Sequence, residues 1–155
     1  MEIYSILHNI RSAHNVGSML RTADAAGVTK VYVTGYTPTP LDAFGIVRPE
    51  IAKTALGAEL TVPWEHIPNI TTIVTALREQ GVYIIGLEQH TRAIEYRLVK
   101  PEKSFALIVG NEVLGLSEPV LKKCDVIAEI SMHGKKESLN VGVAFGIALF
   151  TMNKG

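Results

Sequence analysis

Five short apolar runs punctuate the chain, at Ile3 to Leu7, Lys30 to Thr34, Val82 to Leu87, Phe105 to Val109 and Val126 to Ile130. Several lack polar alternation, so they predict strands buried on both faces. Between them the apolar positions recur at helical spacing, at Val16 to Ala26, Thr71 to Gln80 and Glu118 to Lys123, and a last run covers Leu139 to Met152. Strands alternating with helices predict an α/β fold, a mostly parallel sheet with helices on both faces. The stretch "GYTPTPLDAFGIVRPE" from Gly35 has three prolines, two glycines and little periodicity, and reads as a long surface loop of the kind that is functional or mobile.

The first helix carries the first anomaly. At about 100° per residue, Val16, Met19, Leu20 and Ala23 share one arc, and Asn15, Ser18, Arg21 and Thr22 share the opposite one. Asn15 is placed to cap this helix and Gly27 to stop it. Arg21 then points away from the core, and alone it reads as a solvated arginine. The second anomaly is "ALIVGNEVLGLSEPVLKKC", an apolar strand running into a glycine-containing turn, with Ser117 as the expected cap of the next helix. Gly110 to Ser117 has nearly the spacing of a phosphate-binding P-loop, but Leu116 stands where the lysine belongs and Glu112 lies inside the loop. Both departures argue against triphosphate binding, and no G-x-G-x-x-G follows any strand. A backbone-lined turn at a strand's carboxyl end remains, a usual ligand position in open α/β sheets.

The third anomaly is "EISMHGKKESLNVGVAFGIALF". Ser138 is expected to cap the final helix, with Asn140 in its first turn as a carboxamide that needs buried partners. The apolar stretch from Val141 to Met152 is too short to span a membrane and reads as a buried helix. Gly142 and Gly146 leave a flat strip for a close helix contact, within the chain or across a dimer.

Composition narrows the picture. A chain of 155 residues, 47% hydrophobic, predicts one domain, and one cysteine, Cys124, rules out an internal disulfide framework and suggests a reducing cytoplasm. Fifteen basic residues balance fifteen acidic ones, so net charge names no partner. The five histidines show no metal-ligand spacing, and no metal site is expected.

Taken in order, "NVGSMLRTADAAGV", "LIVGNEVLGLS" and "ISMHGKKESLNVGVAFGIAL" resemble the three motifs of SpoU-type RNA methyltransferases, the TrmH-like branch of the SPOUT superfamily. The resemblance covers nearly the whole chain. It implies transfer of a methyl group from S-adenosylmethionine to a ribose 2′-hydroxyl of tRNA or rRNA. It also implies a C-terminal deep trefoil knot, a homodimer, and a single domain over residues 1–155 without an additional RNA-binding extension. Residue by residue, it assigns Asn15, Arg21, Glu112, Ser138 and Asn140 to catalysis. It assigns the cofactor to Gly86, Leu87, Val109, Gly110, Asn111, Ile130, Met132 and Leu139. For RNA contact, Arg11, Arg48 and Lys53 are the candidates, basic groups on or beside irregular loops, with Lys135 and Lys136 as additions. Asn111 departs from the family, where serine or glycine is frequent, as do Gly142 and Phe145.

Overall fold

The computed structural model describes residues 1–153. Among these residues seven strands form one sheet: β1 (Ile3–His8), β2 (Lys30–Thr34), β3 (Trp64–Ile67), β4 (Tyr83–Leu87), β5 (Ile94–Glu95), β6 (Phe105–Val109) and β7 (Val126–Glu129). Their order is β3-β2-β1-β6-β4-β7-β5, and every pairing is parallel. All carboxyl ends therefore lie along one edge. The chain winds outward from β1 through β2 to β3, then resumes on the other side of β1 with β4 and β6. The loops after β1 and β6 meet where that direction reverses.

Among the described residues, six α-helices accompany the sheet: α1 (Ala13–Ala25), α2 (Pro49–Ala55), α3 (Ala58–Thr61), α4 (Ile70–Glu79), α5 (Glu118–Leu121) and α6 (Val141–Met152). Alternation along the central strand β6 sorts them. Phe105, Leu107 and Val109 face a core shared with α1, α2, α3 and α6, whereas Ala106 and Ile108 face one shared with α4 and α5. The expected two-sided burial is thus observed, and β3, β5, α2 and α3 are added to the elements the pattern predicted. β5 has two residues and α3 has four, too short to leave a periodic signal.

Two close approaches set the packing around α1. A Cβ on Gly17 would lie 2.3 Å from the Ile51 carbonyl, so α2 can press against α1 only because this position has no side chain. On another side, a Cβ on Gly146 would meet Thr22 Cγ2 at 3.4 Å, and one on Gly142 would come within 3.8 Å of Ser18 Oγ. The glycine strip of α6 therefore packs on α1 of the same chain. α6 is not buried all round: Phe145, Ala148, Leu149 and Met152 enter the core, while Val143, Ile147 and Phe150 stay exposed.

Of the three expected caps, Ser117 stands before α5 without a side-chain cap bond, and the other two move. Ser12 caps α1, its Oγ accepting the Asn15 amide at 3.1 Å, so Asn15 sits inside the first turn and only 8% exposed. Asn140 caps α6 by accepting the Gly142 and Val143 amides, and Ser138 lies exposed in the loop before it. In each case one residue satisfies the free amides of the first turn, and once it does the other is released from that duty. Gly27, at φ 73°, follows α1 as expected.

Candidate functional site

The segments that follow the strands leave the carboxyl edge of the sheet, and two depressions lie among them. A cleft of about 290 Å³ lies among the segments after β4, β6 and β7 and the start of α6. That is near the lower end for small-molecule sites, which span roughly 300–1,000 Å³. A larger, more open groove of about 870 Å³ runs beside it, bounded by Arg11, Ser12, Asn15, Tyr36 and Leu114. Asn111, Glu112 and Val113 belong to both and form their common wall.

The wall is held by one hydrogen-bond network that joins the three anomalous segments. Glu112 accepts the Arg11 amide at 2.9 Å, the Ser12 amide at 2.8 Å and the Asn15 carboxamide at 3.0 Å. Asn15 in turn accepts the Asn140 carboxamide at 3.2 Å, and the Asn140 oxygen caps α6. Burial alone would raise the Glu112 pKa, but the Arg11 and Ser12 amides and the Asn15 side chain outweigh it and hold the group below the ordinary carboxylate value. Glu112 is therefore an anion at neutral pH with its oxygens engaged, suited to positioning and poorly suited to taking a proton. Its place beside the α1 N-terminus adds a favourable helix-dipole contact.

The cleft collects most of the residues assigned to the cofactor: Leu87, Val109, Gly110, Asn111, Ile130, Met132 and Leu139 line it, together with Glu112 and Ser138. Gly86 does not line it. A Cβ at Gly86 would lie 2.8 Å from Cys124 Sγ, so its missing side chain admits the helix layer on the opposite side. The Asn111 side chain has its polar atoms fully engaged within the protein. Its Nδ2 donates to the Asn9 carbonyl and to Tyr36 Oη, and its Oδ1 accepts the Val113 and Leu114 amides.

Arg21 stands apart. It is exposed, lines neither depression and makes no hydrogen bond or ion pair among the described residues, although its arc neighbours Ser18 and Thr22 meet α6. Asn15 and Asn140 are joined as a pair, but Asn140 is exposed rather than buried in this chain. Arg11 borders the groove and Lys53 is exposed on α2. Arg48 is half-buried at the start of α2, and its Nε is enclosed without a partner among the described residues. Lys135 and Lys136 are exposed in the third loop.

Three carboxylates in the cleft were not foreseen: Glu88, Glu129 and Glu137. Glu88 accepts the Leu116 amide at 2.8 Å and so braces the second loop from the β4 side. Its signal in the sequence was the abrupt switch from the apolar run to "EQH" after Leu87. Tyr36 was also passed over, an aromatic immediately after a strand in a glycine-proline loop. Burial, helped by Asp125, pushes the Cys124 thiol up to about 12 against the opposing pull of Arg78 and Arg92, which disfavours the thiolate. Burial likewise lowers the His8 pKa, and its Nδ1 pairs with Thr34 Oγ1 at 2.8 Å. Among the described residues, no cluster of three or more potential ligands could hold a metal ion, and no helix is long and apolar enough to cross a membrane.

The arrangement has counterparts among known proteins. The 23S rRNA (guanosine-2′-O-)-methyltransferase RlmB of Xanthomonas axonopodis pv. citri is 36% identical over 145 residues, 94% of this chain and 55% of that protein. The chain thus spans about half the length of the curated relatives it matches. The structure of an AdoMet-bound rRNA methyltransferase from Sinorhizobium meliloti superposes with a TM-score of 0.88 at 28% identity, covering 97% of this chain and 55% of that one. The A. aeolicus TrmH/SpoU tRNA modifying enzyme superposes with a TM-score of 0.85 at 25% identity, covering 99% and 74%. A model of the SpoU rRNA Methylase family matches residues 2–150, a span that takes in the whole sheet, both depressions and the network between them. With its three motif segments bonded into one wall and that match running almost end to end, the chain belongs to the SpoU rRNA Methylase family.

Proposed function

We propose that this chain is an S-adenosylmethionine-dependent methyltransferase acting on a ribose 2′-hydroxyl of tRNA or rRNA. The observation that carries the reading is the shared wall: one bonded network separates a small-ligand cleft from an open groove, so two substrates can meet across it. The residues fit the cofactor. Leu87, Val109, Ile130, Met132 and Leu139 offer apolar contact for an adenine ring, strand-end amides and carbonyls offer polar contacts, and Glu88, Glu129 and Glu137 complement a positive charge. When bound, S-adenosylmethionine supplies a methyl group on a sulfonium.

The chain's residues do the rest by positioning. In the in-line displacement, the ribose oxygen gains the methyl carbon while the carbon–sulfur bond breaks and its electron pair stays on sulfur. Holding these atoms in line contributes several kcal/mol, up to roughly 7–11 in ideal intramolecular cases. Glu112, Asn15 and Asn140 keep the wall in place, and Ser138 shapes the cleft rim. Arg21 is read as gripping a phosphate beside the target ribose and stabilising the developing alkoxide, with the departing proton passing to that phosphate or to water. A guanidinium is too weakly acidic to act as the base itself.

RNA is read as lying along Arg11 and the groove, with Arg48, Lys53, Lys135 and Lys136 adding phosphate contacts. Residues 1–155 form one methyltransferase domain in this reading, with RNA grip supplied by its own loops. A homodimer built on α6 belongs to it as well, supported by the exposed Val143, Ile147 and Phe150 and by the free position of Arg21 at the edge of the α1 and α6 contact. So does threading of the segment before α6 as a trefoil knot, which the strand order with β7 between β4 and β5 supports. A cytoplasmic location goes with an RNA substrate.

The test is incubation with methyl-labelled S-adenosylmethionine and unmodified transcripts of tRNA and 23S rRNA, followed by nuclease digestion and mass spectrometry. Label on a ribose 2′-oxygen is expected. Label on a base, or cofactor binding with no transfer to either RNA, overturns the reading.

A further inference from the structure

We infer that Tyr36 is the stacking platform for the base of the nucleotide whose ribose is methylated, with Val113 and Leu114 as the apolar rim of the same groove; this rests on the RNA methyltransferase reading above. Tyr36 follows β2 by two residues and is fixed at both ends by other loops. Its amide donates to Asn9 Oδ1 at 3.1 Å, and its Oη accepts from Asn111 Nδ2 at 2.8 Å. Asn9 comes from the loop after β1 and Asn111 from the loop after β6, so three loops converge on one ring.

Two backbone conformations serve this placement. Asn9 holds φ at 55° and Gly35 at 60°, both left-handed, and a Cβ on Gly35 would fall 1.8 Å from Asn9 Oδ1. Any other residue at Gly35 would displace the oxygen that holds Tyr36. Yet the pinned ring gains little from packing, since Tyr36 remains 58% exposed. Ordering an exposed aromatic is unfavourable unless something later uses its face, whereas a rigid exposed ring is a preorganised stacking surface.

The rim has the same character. Val113 and Leu114 are 88% and 81% exposed, and their amides are held by Asn111 Oδ1, so apolar side chains are presented outward on a fixed turn. Asn111 thus positions both the ring and the rim. A serine or glycine at this position could not make these four bonds.

The occupant follows from the location. The wall of Asn111, Glu112 and Val113 divides the groove from the cleft, so a ribose presented at the wall places its base on the groove side. Arg11 on the same groove matches the charge of the adjoining phosphate. A base drawn out of a helix or taken from a loop needs a new stacking partner, and aromatic side chains supply it to any base.

The experiment compares the full chain with Tyr36→Leu and Tyr36→Trp on whichever transcript the native protein labels. Stacking on a protein aromatic is commonly worth about a tenfold change in affinity or more per base, so Tyr36→Leu is expected to raise the KM for RNA by about tenfold. The KM rises more than kcat falls, Tyr36→Trp keeps a KM near the native value, and calorimetric affinity for S-adenosylmethionine is unaltered. A single-stranded RNA oligonucleotide carrying 2-aminopurine is expected to lose fluorescence on binding the native chain and the Trp variant, but not the Leu variant. An unchanged KM in Tyr36→Leu, or a Trp variant no better than the Leu variant, overturns the inference and leaves the methyltransferase reading intact. A native chain that labels neither RNA overturns that reading and this inference with it.

Discussion

The cleft and the groove share a wall and differ in almost everything else a ligand would meet. The cleft is the smaller, lies among strand ends and the start of α6, and is bordered by Glu88, Glu112, Glu129 and Glu137. The groove is wide, carries Arg11, Tyr36, Val113 and Leu114, and has no carboxylate besides the engaged Glu112. A small acidic pocket suits a small cation, and a wider apolar groove with an arginine suits an anionic polymer with flat bases. Asn111, Glu112 and Val113 border both environments and keep them apart. Near-neutral net charge conceals this division, because the signs are separated over a few residues.

The largest expected effect comes from a residue in neither depression. Replacing Arg21 by Ala should lower kcat by on the order of 10²-fold or more, as for loss of a single donor to a developing anion. Arg21→Lys should recover little, because a point charge cannot replace the planar fork. Single-turnover methyl transfer measures both, and native turnover by the Lys variant would remove Arg21 from the chemistry.

Breaking the wall comes next. Glu112→Ala leaves the Arg11 and Ser12 amides without their acceptor, for a loss of about 1–3 kcal/mol, toward the lower end because the group is half-exposed. Thermal denaturation should show that loss, and binding in both depressions should weaken together. If only one is affected, the two sites do not depend on a common wall. The same contact has a pH signature. Glu112 has a lowered pKa when folded, so its contribution is present above the unfolded value of 4.5 and is lost as pH falls through the lower folded value. Native protein should lose stability more steeply than Glu112→Gln in acid below about 4.5, and matching acid curves would contradict the shift.

Smaller effects should separate the two sides. Glu88→Gln keeps an acceptor for the Leu116 amide and removes one charge from the cleft, so affinity for S-adenosylmethionine should fall severalfold with RNA affinity unchanged. Arg11→Ala should leave cofactor affinity alone and reduce the slope of log K against log salt for RNA by about 1. Reversal of those two outcomes would exchange the roles given to cleft and groove.

Much of the fold could be read from periodicity. The runs at β1, β2, β4, β6 and β7 are long and apolar enough to need burial on both faces, which leaves a parallel α/β sheet as the solution. β5 and α3 were missed because elements that short take their structure from a neighbour rather than from a local pattern. The cap assignments went wrong at Asn15 and Ser138 for a related reason. Several residues near each helix start can cap it, and the choice between Ser12 and Asn15, or between Ser138 and Asn140, depends on what else each side chain can bond. Helical projection puts Asn15 on the polar arc, yet it is buried beside two partners far away in the chain, Glu112 and Asn140.

The sequence by itself determined the fold class, the ordered motifs and most of the cleft lining, because these rest on local apolar burial and on residues adjoining strand ends. Only the tertiary structure decided that Glu112 joins Arg11, Ser12 and Asn15, that Asn140 rather than Ser138 begins α6, and that Asn111 holds Tyr36 over an open groove. Those contacts span gaps of up to 125 residues. They exist because a parallel sheet brings the ends of β1, β2 and β6 to one edge, where amides left over from separate loops find each other's side chains.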